Sequence, residues 1–490
     1  MKIIITISFI LVCILYSSAQ TESFSARFFE TYDSYREPSL NKRRIKQEDI
    51  LPLINRFARQ QGFEVNLVGK SIEGRSLHLI SLGSGTTDIF LWSQMHGDEP
   101  TATQAIFDLL NFFKAPDFKA EKDKLLKRVR IHFLPMLNPD GAAVFQRRNF
   151  LGVDINRDAI TLQSAESQVL KRVRDSLDAE FGFNLHDQSR YYNAERTSKP
   201  ATISFLAPAY NYEKDINDVR LKAMQVIGYM NRILQEYAPG QVGRYNDDFE
   251  PRAFGDNIQK WGTSAILIES GGFPEDIEKQ EIRKLNYVSI LSAIYAIGSG
   301  SYENVALSDY FEIPKNDRML FDLKIEGVTY PLNEKNYVLD FGIFRSETDL
   351  PGHADFLNVS QIGDMGDLST YYAYQTVHAQ GLVLKPGKVY DKVVSSLQEA
   401  AKLDFQALLK QGITYVRVAH LEAGLKASPY PMNLVSEGFL LPENKWDVGN
   451  NATFVLYRDN EPVYVILNGF LVETTSEKPV SSVKNGAIFK

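Results

Sequence analysis

Residues 88–99 read DIFLWSQMHGDE, and this stretch decides the fold of the first half of the chain. Its apolar part is a candidate buried strand that ends directly before His96. Residues Thr101 to Lys114 follow with apolar side chains at helical spacing, namely Ala105, Leu109, Leu110 and Phe113. A strand, a short polar turn and a helix in immediate succession form the unit from which α/β domains are built.

The same alternation continues to about residue 297. Further strands are predicted at residues 130–137 (RIHFLPML), 181–185 (FGFNL) and 263–268, and further helices at 164–179, 218–237 and 275–297. Before them, residues 65–83 (VNLVGKSIEGRSLHLISLG) predict two strands around a turn at Glu73 and Gly74. We therefore expect an α/β domain with a mixed, mainly parallel sheet flanked by helices.

The pattern changes near residues 298–301, which read GSGS. Beyond them come short β-like stretches, interrupted by one predicted helix from Asp391 to Leu409; the stretches read MLFDLKI, NYVLDFGIF, YYAYQTVH, ITYVRVAH, ATFVLYRD and PVYVILNGFLVE. The sequence thus predicts one domain over residues 20–300 and a separate β-rich accessory domain over residues 301–490.

Length, charge and composition restrict the classes of function. The chain has 490 residues, of which 44% are hydrophobic and 23% charged, with a net charge of −7. These are the proportions of an ordinary globular protein, and the length favours two domains. No long basic block occurs in the sequence, so nucleic acid is not expected as a partner.

The first nineteen residues differ from the rest of the sequence. Lys2 gives a positive start, residues 3–15 are almost all apolar, and Ser17 and Ala19 supply the small residues of a cleavage site. This pattern predicts a signal peptide over residues 1–19 and an exported protein, either periplasmic or secreted. A membrane anchor is the alternative, but the apolar run is shorter than the ~20 residues that span a bilayer.

The mature chain is expected to contain neither disulfides nor a membrane span. Cys13 is the only cysteine and lies inside the predicted signal peptide. No later apolar run in the sequence is long enough to cross a bilayer.

Four polar residues follow three of the predicted strands. His96 and Glu99 come after the first, His186 after the strand at 181–185, and Glu269 after the strand at 263–268. Because ligands of open α/β sheets bind beyond the carboxyl ends of the strands, these residues are expected to meet at one place. Two imidazoles and a carboxylate are a ligand set of catalytic zinc with an open fourth position, which indicates metal-assisted hydrolysis.

Several segments, taken together, resemble the zinc metallocarboxypeptidase family, which includes digestive carboxypeptidases and bacterial murein-peptide amidases. The resemblance covers roughly residues 50–300, and the segments are GKSIEGRSLHLISLG, HGDE, LNPDGA, RRNFLGVDINRD, NLHDQ and ILIESGG. It implies one zinc ion per chain, held by His96, Glu99 and His186, with Glu269 as the general base and acid. Residues 20–300 would then be the catalytic domain.

The resemblance also implies how substrate is held. Arg147 matches the family arginine that stabilises the developing oxyanion, with Arg148 as its neighbouring rival. Asn156 and Arg157 match the pair that grips the terminal carboxylate of the substrate. The expected partner is therefore a peptide with a free carboxylate.

The sequence departs from the digestive members of the family near these residues. Asp98 stands where many of them have arginine, and Asp187 with Gln188 replaces their Ser-Tyr pair. Tyr245 is the candidate for the tyrosine that closes over substrate, although its spacing to Glu269 is slightly off. Asp256 lies in the stretch that lines the side-chain pocket in relatives, where it would favour a basic terminal residue or cap a helix.

The function favoured by these observations is that of a zinc-dependent metallocarboxypeptidase, which hydrolyses a C-terminal peptide bond by zinc-activated water with Glu269 as general base. A cell-wall (murein) peptide amidase with the same chemistry is the first alternative. An inactive zinc-binding scaffold protein is the remote one. The remaining histidines, among them His78 and His132, are expected to be structural or on the surface.

Overall fold

The computed structural model describes residues 24–422, 424–441, 445–476 and 483–489, so the predicted signal peptide lies outside the described residues. The chain divides into two compact units between Arg318 and Met319. The sequence places the division near residue 300 instead, because GSGS is typical of a linker. In the structure Gly300 ends a long helix in the left-handed conformation (φ 76°), and the residues up to Arg318 continue the first unit.

The first unit contains ten strands and ten α-helices within its described residues. The strands are β1 (Phe63–Lys70), β2 (Ser76–Gly83), β3 (Thr87–Ser93), β4 (Val129–Leu134), β5 (Phe181–Asp187), β6 (Asn193–Ala194), β7 (Ile203–Leu206), β8 (Val242–Arg244), β9 (Ser264–Ser270) and β10 (Asn316–Asp317). The helices are α1 (residues 24–31), α2 (Gln47–Phe57), α3 (Thr101–Lys114), α4 (Lys119–Leu126), α5 (Pro139–Ala143), α6 (Ala165–Leu177), α7 (Asp218–Tyr237), α8 (Phe254–Lys260), α9 (Gln280–Ser299) and α10 (Leu307–Phe311).

Eight of these strands form one mixed sheet in the order β1-β2-β4-β3-β5-β9-β7-β8. Its centre is parallel, since β4, β3, β5 and β9 all run the same way. The β1–β2 hairpin joins one side and β7 the other, both in antiparallel pairing. The predicted mixed α/β sheet flanked by helices is therefore confirmed, and the carboxyl ends of β3, β5 and β9 lie side by side.

Alternating side chains of the sheet build two separate cores. On β3, Ile89 and Leu91 face the larger core, which includes α3, α7 and α9, whereas Phe90 and Trp92 face the smaller core under α6 and α8. Both faces of the sheet are covered, as a central parallel strand requires. No helix in the described part of the chain is long and apolar enough to cross a membrane.

The segment before the sheet belongs to the larger core. Phe28, Tyr32, Tyr35 and Leu40 are each no more than 3% exposed and pack against α3 and α9. A buried ion pair between Arg283 and Asp108 ties this segment down: Arg283 also donates to the carbonyls of Glu37 and Leu40, and Asp108 accepts the backbone N–H of Glu37.

The second unit is rich in β-structure, as predicted. Its strands are β11 (Leu320–Leu332), β12 (Lys335–Asp349), β13 (Phe356–Gly366), β14 (Tyr372–His378), β15 (Val383–Lys385), β16 (Lys388–Val394), β17 (Ile413–Val418), β18 (Asn433–Ser436), β19 (Phe454–Arg458), β20 (Glu461–Leu467), β21 (Phe470–Glu473) and β22 (Ile488–Phe489). They form an eight-stranded sheet around the β11–β12 hairpin and a parallel four-stranded sheet in the order β16-β17-β18-β22.

The single helix predicted from Asp391 to Leu409 is wrong. That segment starts inside strand β16 and then forms two short helices, α11 (Leu397–Ala400) and α12 (Phe405–Lys410). The side chains of Ser396 and Asp404 each accept a hydrogen bond from the backbone three residues later, so each begins a new helix. Two N-caps within nine residues break what the apolar spacing alone presents as one helix.

Candidate metal centre

The turn between β3 and α3 positions the first two candidate ligands. β3 ends at Ser93, and the chain then bends through Gln94, whose φ of 51° is left-handed and whose side chain donates to the Gly97 carbonyl at 2.9 Å. A side chain at Gly97 would collide with the backbone of Gly141 and Ala142. His96 and Glu99 therefore leave the sheet on a tightly packed turn, and α3 starts two residues later.

His96, Glu99 and His186 converge at the ends of β3 and β5. The Nδ1 atoms of the two histidines are 3.1 Å apart, and the Glu99 carboxylate lies 2.8 Å from Nδ1 of His96 and 2.7 Å from Nδ1 of His186. All three side chains are buried, and they are the one group of its kind that could hold a metal ion in the described part of the chain. The structure thus brings together the three residues that the sequence singles out.

The donor atoms fit a zinc ion. Ligand atoms ~2.0–2.2 Å from a tetrahedral zinc lie about 3.3–3.6 Å from one another. The observed separations of 2.7–3.1 Å are slightly shorter, so a small outward movement of the side chains completes the cage.

The charges around the three residues favour a cation as well. Burial lowers the pKa of His96, but Glu99 and Asp154 outweigh it and raise that pKa to about 9. Burial opposes ionisation of Glu99, but His96 and His186 hold its pKa well below the ordinary range. With the Glu99 and Asp154 carboxylates on its two sides, the His96 imidazole holds a proton at neutral pH. A metal ion that binds here displaces this proton.

Asp154 is a second partner of His96 that the sequence analysis missed. Its carboxylate lies 3.2 Å from Nε2 of His96, on the side of the ring away from Glu99, and accepts a hydrogen bond from Nε of Arg147 at 3.0 Å. A carboxylate behind a ligating histidine fixes the orientation of the ring. Its position within the segment RRNFLGVDINRD, close to Asn156 and Arg157, is the sequence feature that could have indicated Asp154.

Glu269 stands beside the three candidate ligands. It is the residue paired with His186 across the parallel strands β5 and β9. Burial raises the pKa of the Glu269 carboxyl well above its ordinary value, and the carboxylates of Glu99 and Asp187 raise it further. A cation held by the three ligands would act in the opposite direction.

Arg147 reaches the same group of atoms. Its Nη1 lies 3.1 Å from Nδ1 of His96 and 3.4 Å from the Glu99 carboxylate, while 42% of its side chain is exposed. Its neighbour Arg148 instead donates to the carbonyl of Gly152 at 3.0 Å. The structure therefore places Arg147, and not Arg148, against the candidate metal ligands.

Asn156 and Arg157 lie on a short 3-10 helix that follows Asp154. The Asn156 side chain accepts the N–H of Phe254 at 2.9 Å, which is the first residue of α8. Arg157 donates Nη1 to the Asn156 carbonyl at 2.8 Å, and its Nε lies 3.4 Å from Glu250. Glu250 is not predictable from the sequence, because a contact across 93 positions leaves no local pattern.

Tyr245 directly follows β8, and Asp256 lies in the first turn of α8. Burial raises the pKa of the Tyr245 hydroxyl, as do the charges of Glu269 and Glu99, so Tyr245 lies within electrostatic reach of the centre. Its ring contacts that of Tyr192, a further aromatic residue that the sequence analysis missed, with centroids 5.9 Å apart. Asp256 accepts the N–H of Glu250 at 3.0 Å, and burial raises its pKa to about 7.

The remaining departures from the digestive pattern are also near the centre. Asp98 lies between His96 and Glu99, and burial raises its pKa to about 6. Asp187 follows His186 and is bound by Thr101 and Lys279. Gln188 is buried and donates to the Ala201 carbonyl and the Ser204 hydroxyl, both at 2.8 Å.

Comparison with known families gives the decisive observation. The family model described as zinc carboxypeptidase matches residues 53–216. Over these residues the chain is similar to the zinc carboxypeptidase family. The matched residues include His96, Glu99 and His186, together with Arg147, Asn156 and Arg157.

Individual proteins of the family are similar over shorter stretches. Probable carboxypeptidase 2 of Trichophyton verrucosum is 30% identical over 160 residues, which are 30% of this chain and 30% of that protein. Carboxypeptidase M of Mus musculus is 29% identical over 108 residues, which are 19% of this chain and 24% of that protein. The chain thus spans less than a third of the length of either relative.

Among solved structures, the metallo-carboxypeptidase from Burkholderia cenocepacia is similar in shape. The superposition has a TM-score of 0.43 at 16% sequence identity and covers 53% of this chain and 70% of that one.

Proposed function

We propose that this protein is a zinc-dependent metallocarboxypeptidase that hydrolyses a C-terminal peptide bond. One observation carries the proposal: the three donor atoms of His96, Glu99 and His186 converge, and Glu269 lies directly across from His186 in the neighbouring strand. A ligand set with a carboxylate beside it is the minimum that metal-assisted hydrolysis requires.

His96, Glu99 and His186 would hold the ion. Zinc bound there supplies Lewis-acid chemistry, which polarises the scissile carbonyl and lowers the pKa of a water molecule. Glu269 would accept the proton of the attacking water and deliver it to the leaving amine. Its buried position raises its proton affinity and so suits both steps.

Two arginines would act on different parts of the substrate. Arg147 carries a positive charge at the edge of the centre, where the carbonyl oxygen becomes negative during attack. Arg157 lies farther along the same segment and would bind the terminal carboxylate with Asn156. Its Nη1 and Nε are held by the Asn156 carbonyl and Glu250, which orients the guanidinium before substrate arrives.

Glu250 gives a specific reason to keep the murein-peptide amidase as a second candidate. Its carboxylate lies 3.4 Å from Arg157, and Asp256 holds its backbone in place. A carboxylate beside a carboxylate-binding arginine suits a terminal residue that carries both an ammonium and a carboxylate group. Diamino acids of cell-wall peptides have this chemistry, as do peptides that end in a basic residue.

We also propose that the protein is exported, because residues 1–19 have the composition of a signal peptide. An extracytoplasmic location would give the enzyme access to both peptide classes.

Cleavage of matched peptides tests the proposal. Each peptide is offered to the zinc-loaded protein with a free C-terminal carboxylate and as its C-terminal amide, and the products are identified by mass spectrometry. Loss of a charge-assisted hydrogen bond to Arg157, worth ~1.5–3 kcal/mol, should slow cleavage of the amide by roughly 10- to 100-fold. Equal rates on both forms would exclude a carboxypeptidase, and cleavage of cell-wall peptides alone would favour the amidase.

A further inference from the structure

Lys279 joins the three chain segments that carry the candidate centre. Its ammonium nitrogen lies 3.0 Å from the Asp187 carboxylate and donates to the Ser270 carbonyl at 2.9 Å. The same carboxylate oxygen of Asp187 accepts the hydroxyl of Thr101 at 2.6 Å. We call these contacts of Lys279, Asp187, Thr101 and Ser270 the Lys279 bridge.

Each partner of Lys279 lies within two residues of a residue of the candidate centre. Thr101 is two residues after Glu99, Asp187 follows His186, and Ser270 follows Glu269. In addition, the backbone N–H of Asp187 donates to the Glu99 carboxylate at 3.3 Å. One buried ammonium therefore fixes the spacing between the candidate base and two of the candidate metal ligands.

The backbone at Lys279 supports a role for its side chain. Lys279 has a φ of 53°, in the left-handed region where glycine is the least costly residue. It directly precedes α9, and only 13% of its side chain is exposed. A lysine in this conformation reaches Asp187, whereas a glycine would relieve the backbone and lose the contact.

The charge balance explains why the ammonium is needed. Asp187 is 7% exposed in its side chain and lies near Glu99. Without Lys279, a buried carboxylate would face the other acidic groups of the centre without compensation, an arrangement that is strongly unfavourable. The segments that carry Glu99, His186 and Glu269 would then lose the charge that links them.

We propose that Lys279 is a positioning residue of the zinc centre, acting through Asp187 and the Ser270 carbonyl on the spacing of Glu99, His186 and Glu269. The inference rests on the proposed zinc peptidase function. Lys279 touches neither substrate nor metal, so its effect should appear in zinc affinity and in kcat, and KM should change little.

The test uses the full chain with substitutions at both ends of the bridge. Lys279→Met and Lys279→Gly remove the ammonium, and Lys279→Gly also relieves the left-handed backbone. Asp187→Asn and Asp187→Asn with Lys279→Met complete a double-mutant cycle. Lys119→Met is the matched control, because it breaks a Lys–Asp pair of 2.6 Å that is exposed and remote in sequence from the centre.

Zinc dissociation constants by chelator competition, kcat, KM and urea unfolding are measured for each variant. Both Lys279 variants should bind zinc ~10-fold more weakly or worse and lose kcat by a similar factor, the usual scale for groups that support metal ligands. The double variant should lose less than the sum of its two single changes, since it leaves no unpaired charge.

Three results would overturn the proposal. Zinc affinity and kcat in Lys279→Gly within twofold of wild type would show that the ammonium is not needed. Additive effects in the cycle would show that Lys279 does not act through Asp187. Losses that merely follow the unfolded fraction would assign Lys279 a structural role alone. If wild type binds zinc but cleaves no peptide, the proposed function fails, and the zinc constants still decide the role of Lys279.

Discussion

Glu269 is paired with His186 across the two neighbouring parallel strands β5 and β9. Backbone pairing therefore places the candidate base and a candidate metal ligand on neighbouring strands rather than on a flexible loop. Functional groups on strands are held more rigidly than groups on loops. The following predictions depend on this arrangement.

The first prediction concerns metal binding. Replacing His186 by Ala removes one of three converging donors, so the purified protein should retain little zinc by elemental analysis. His378→Ala is the control, because that imidazole lies in the second unit with 74% of its side chain exposed. Full zinc content in His186→Ala would remove His186 from the ligand set.

The second prediction separates chemistry from binding at Glu269. Glu269→Gln keeps the shape of the side chain and removes the base, so turnover should fall by ~100-fold or more while zinc stays bound. Glu281→Gln, an exposed change in the first turn of α9, should leave turnover unaltered. A Glu269→Gln protein with wild-type turnover would refute the proposed mechanism.

The third prediction distinguishes the two arginines by steady-state kinetics. Arg147→Ala removes a charge at the edge of the centre and should lower kcat by ~100-fold, the scale of one lost oxyanion contact. Arg157→Ala removes the carboxylate contact and should mainly raise KM, by about 10-fold. A purely KM effect in both variants would contradict the assignment.

The fourth prediction concerns stability and pH. Burial raises the pKa of Asp256 from its ordinary 3.8 to about 7. Between these values the folded state binds more protons than the unfolded chain, so stability falls as the pH rises and the loss is complete above about pH 7. The difference corresponds to roughly 4 kcal/mol at most.

Asp256→Asn should therefore flatten this part of the curve and stabilise the protein at pH 8, since the amide oxygen can still accept the N–H of Glu250. Urea unfolding of both proteins at pH 5 and pH 8 measures the free energy of unfolding. Comparison of the variant with wild type at each pH removes the contribution of the other titrating groups. An identical pH dependence in the two proteins would contradict the raised pKa.

The fifth prediction tests the ion pair between Arg283 and Asp108, which holds the segment before the sheet. Both side chains of Arg283 and Asp108 are 0% exposed. Arg283→Met leaves Asp108 charged and buried, which should cost ~3–5 kcal/mol of unfolding free energy. Arg283→Met with Asp108→Leu should recover much of that loss; a double variant less stable than Arg283→Met would show that the contacts to Glu37 and Leu40 matter more than the charge.

The sequence predicted those residues of the centre that directly follow a recognisable strand. His96 and Glu99 are three residues apart after an apolar strand, and His186 follows another such strand, so topology alone brings them together. Glu250 near Arg157 and Lys279 near Asp187 could not be predicted in this way. Each pair joins residues about ninety positions apart, and the contact exists only after the sheet and its connections have formed.

The predicted boundaries of helices and units were likewise accurate only where local spacing determines them. The helical spacing of the apolar side chains in residues 101–114 predicted α3 to the residue. The unit boundary was misplaced at GSGS, because glycine and serine suit a helix end as well as a linker. The packing of Tyr302 and Tyr310 in the core and the pairing of β10 with β6 assign residues 301–318 to the first unit.

The burial of the segment before the sheet has a consequence for dissecting the gene into expressible pieces. Similarity to the family begins at residue 53, yet Phe28, Tyr32, Tyr35 and Leu40 complete the core, and Arg283 is held by that segment. Similarity ends at residue 216, yet β9 and Glu269 lie beyond it. A fragment restricted to residues 53–216 would lack the central strand β9 and the segment that covers the larger core. It should therefore be recovered as aggregate rather than as a minimal enzyme.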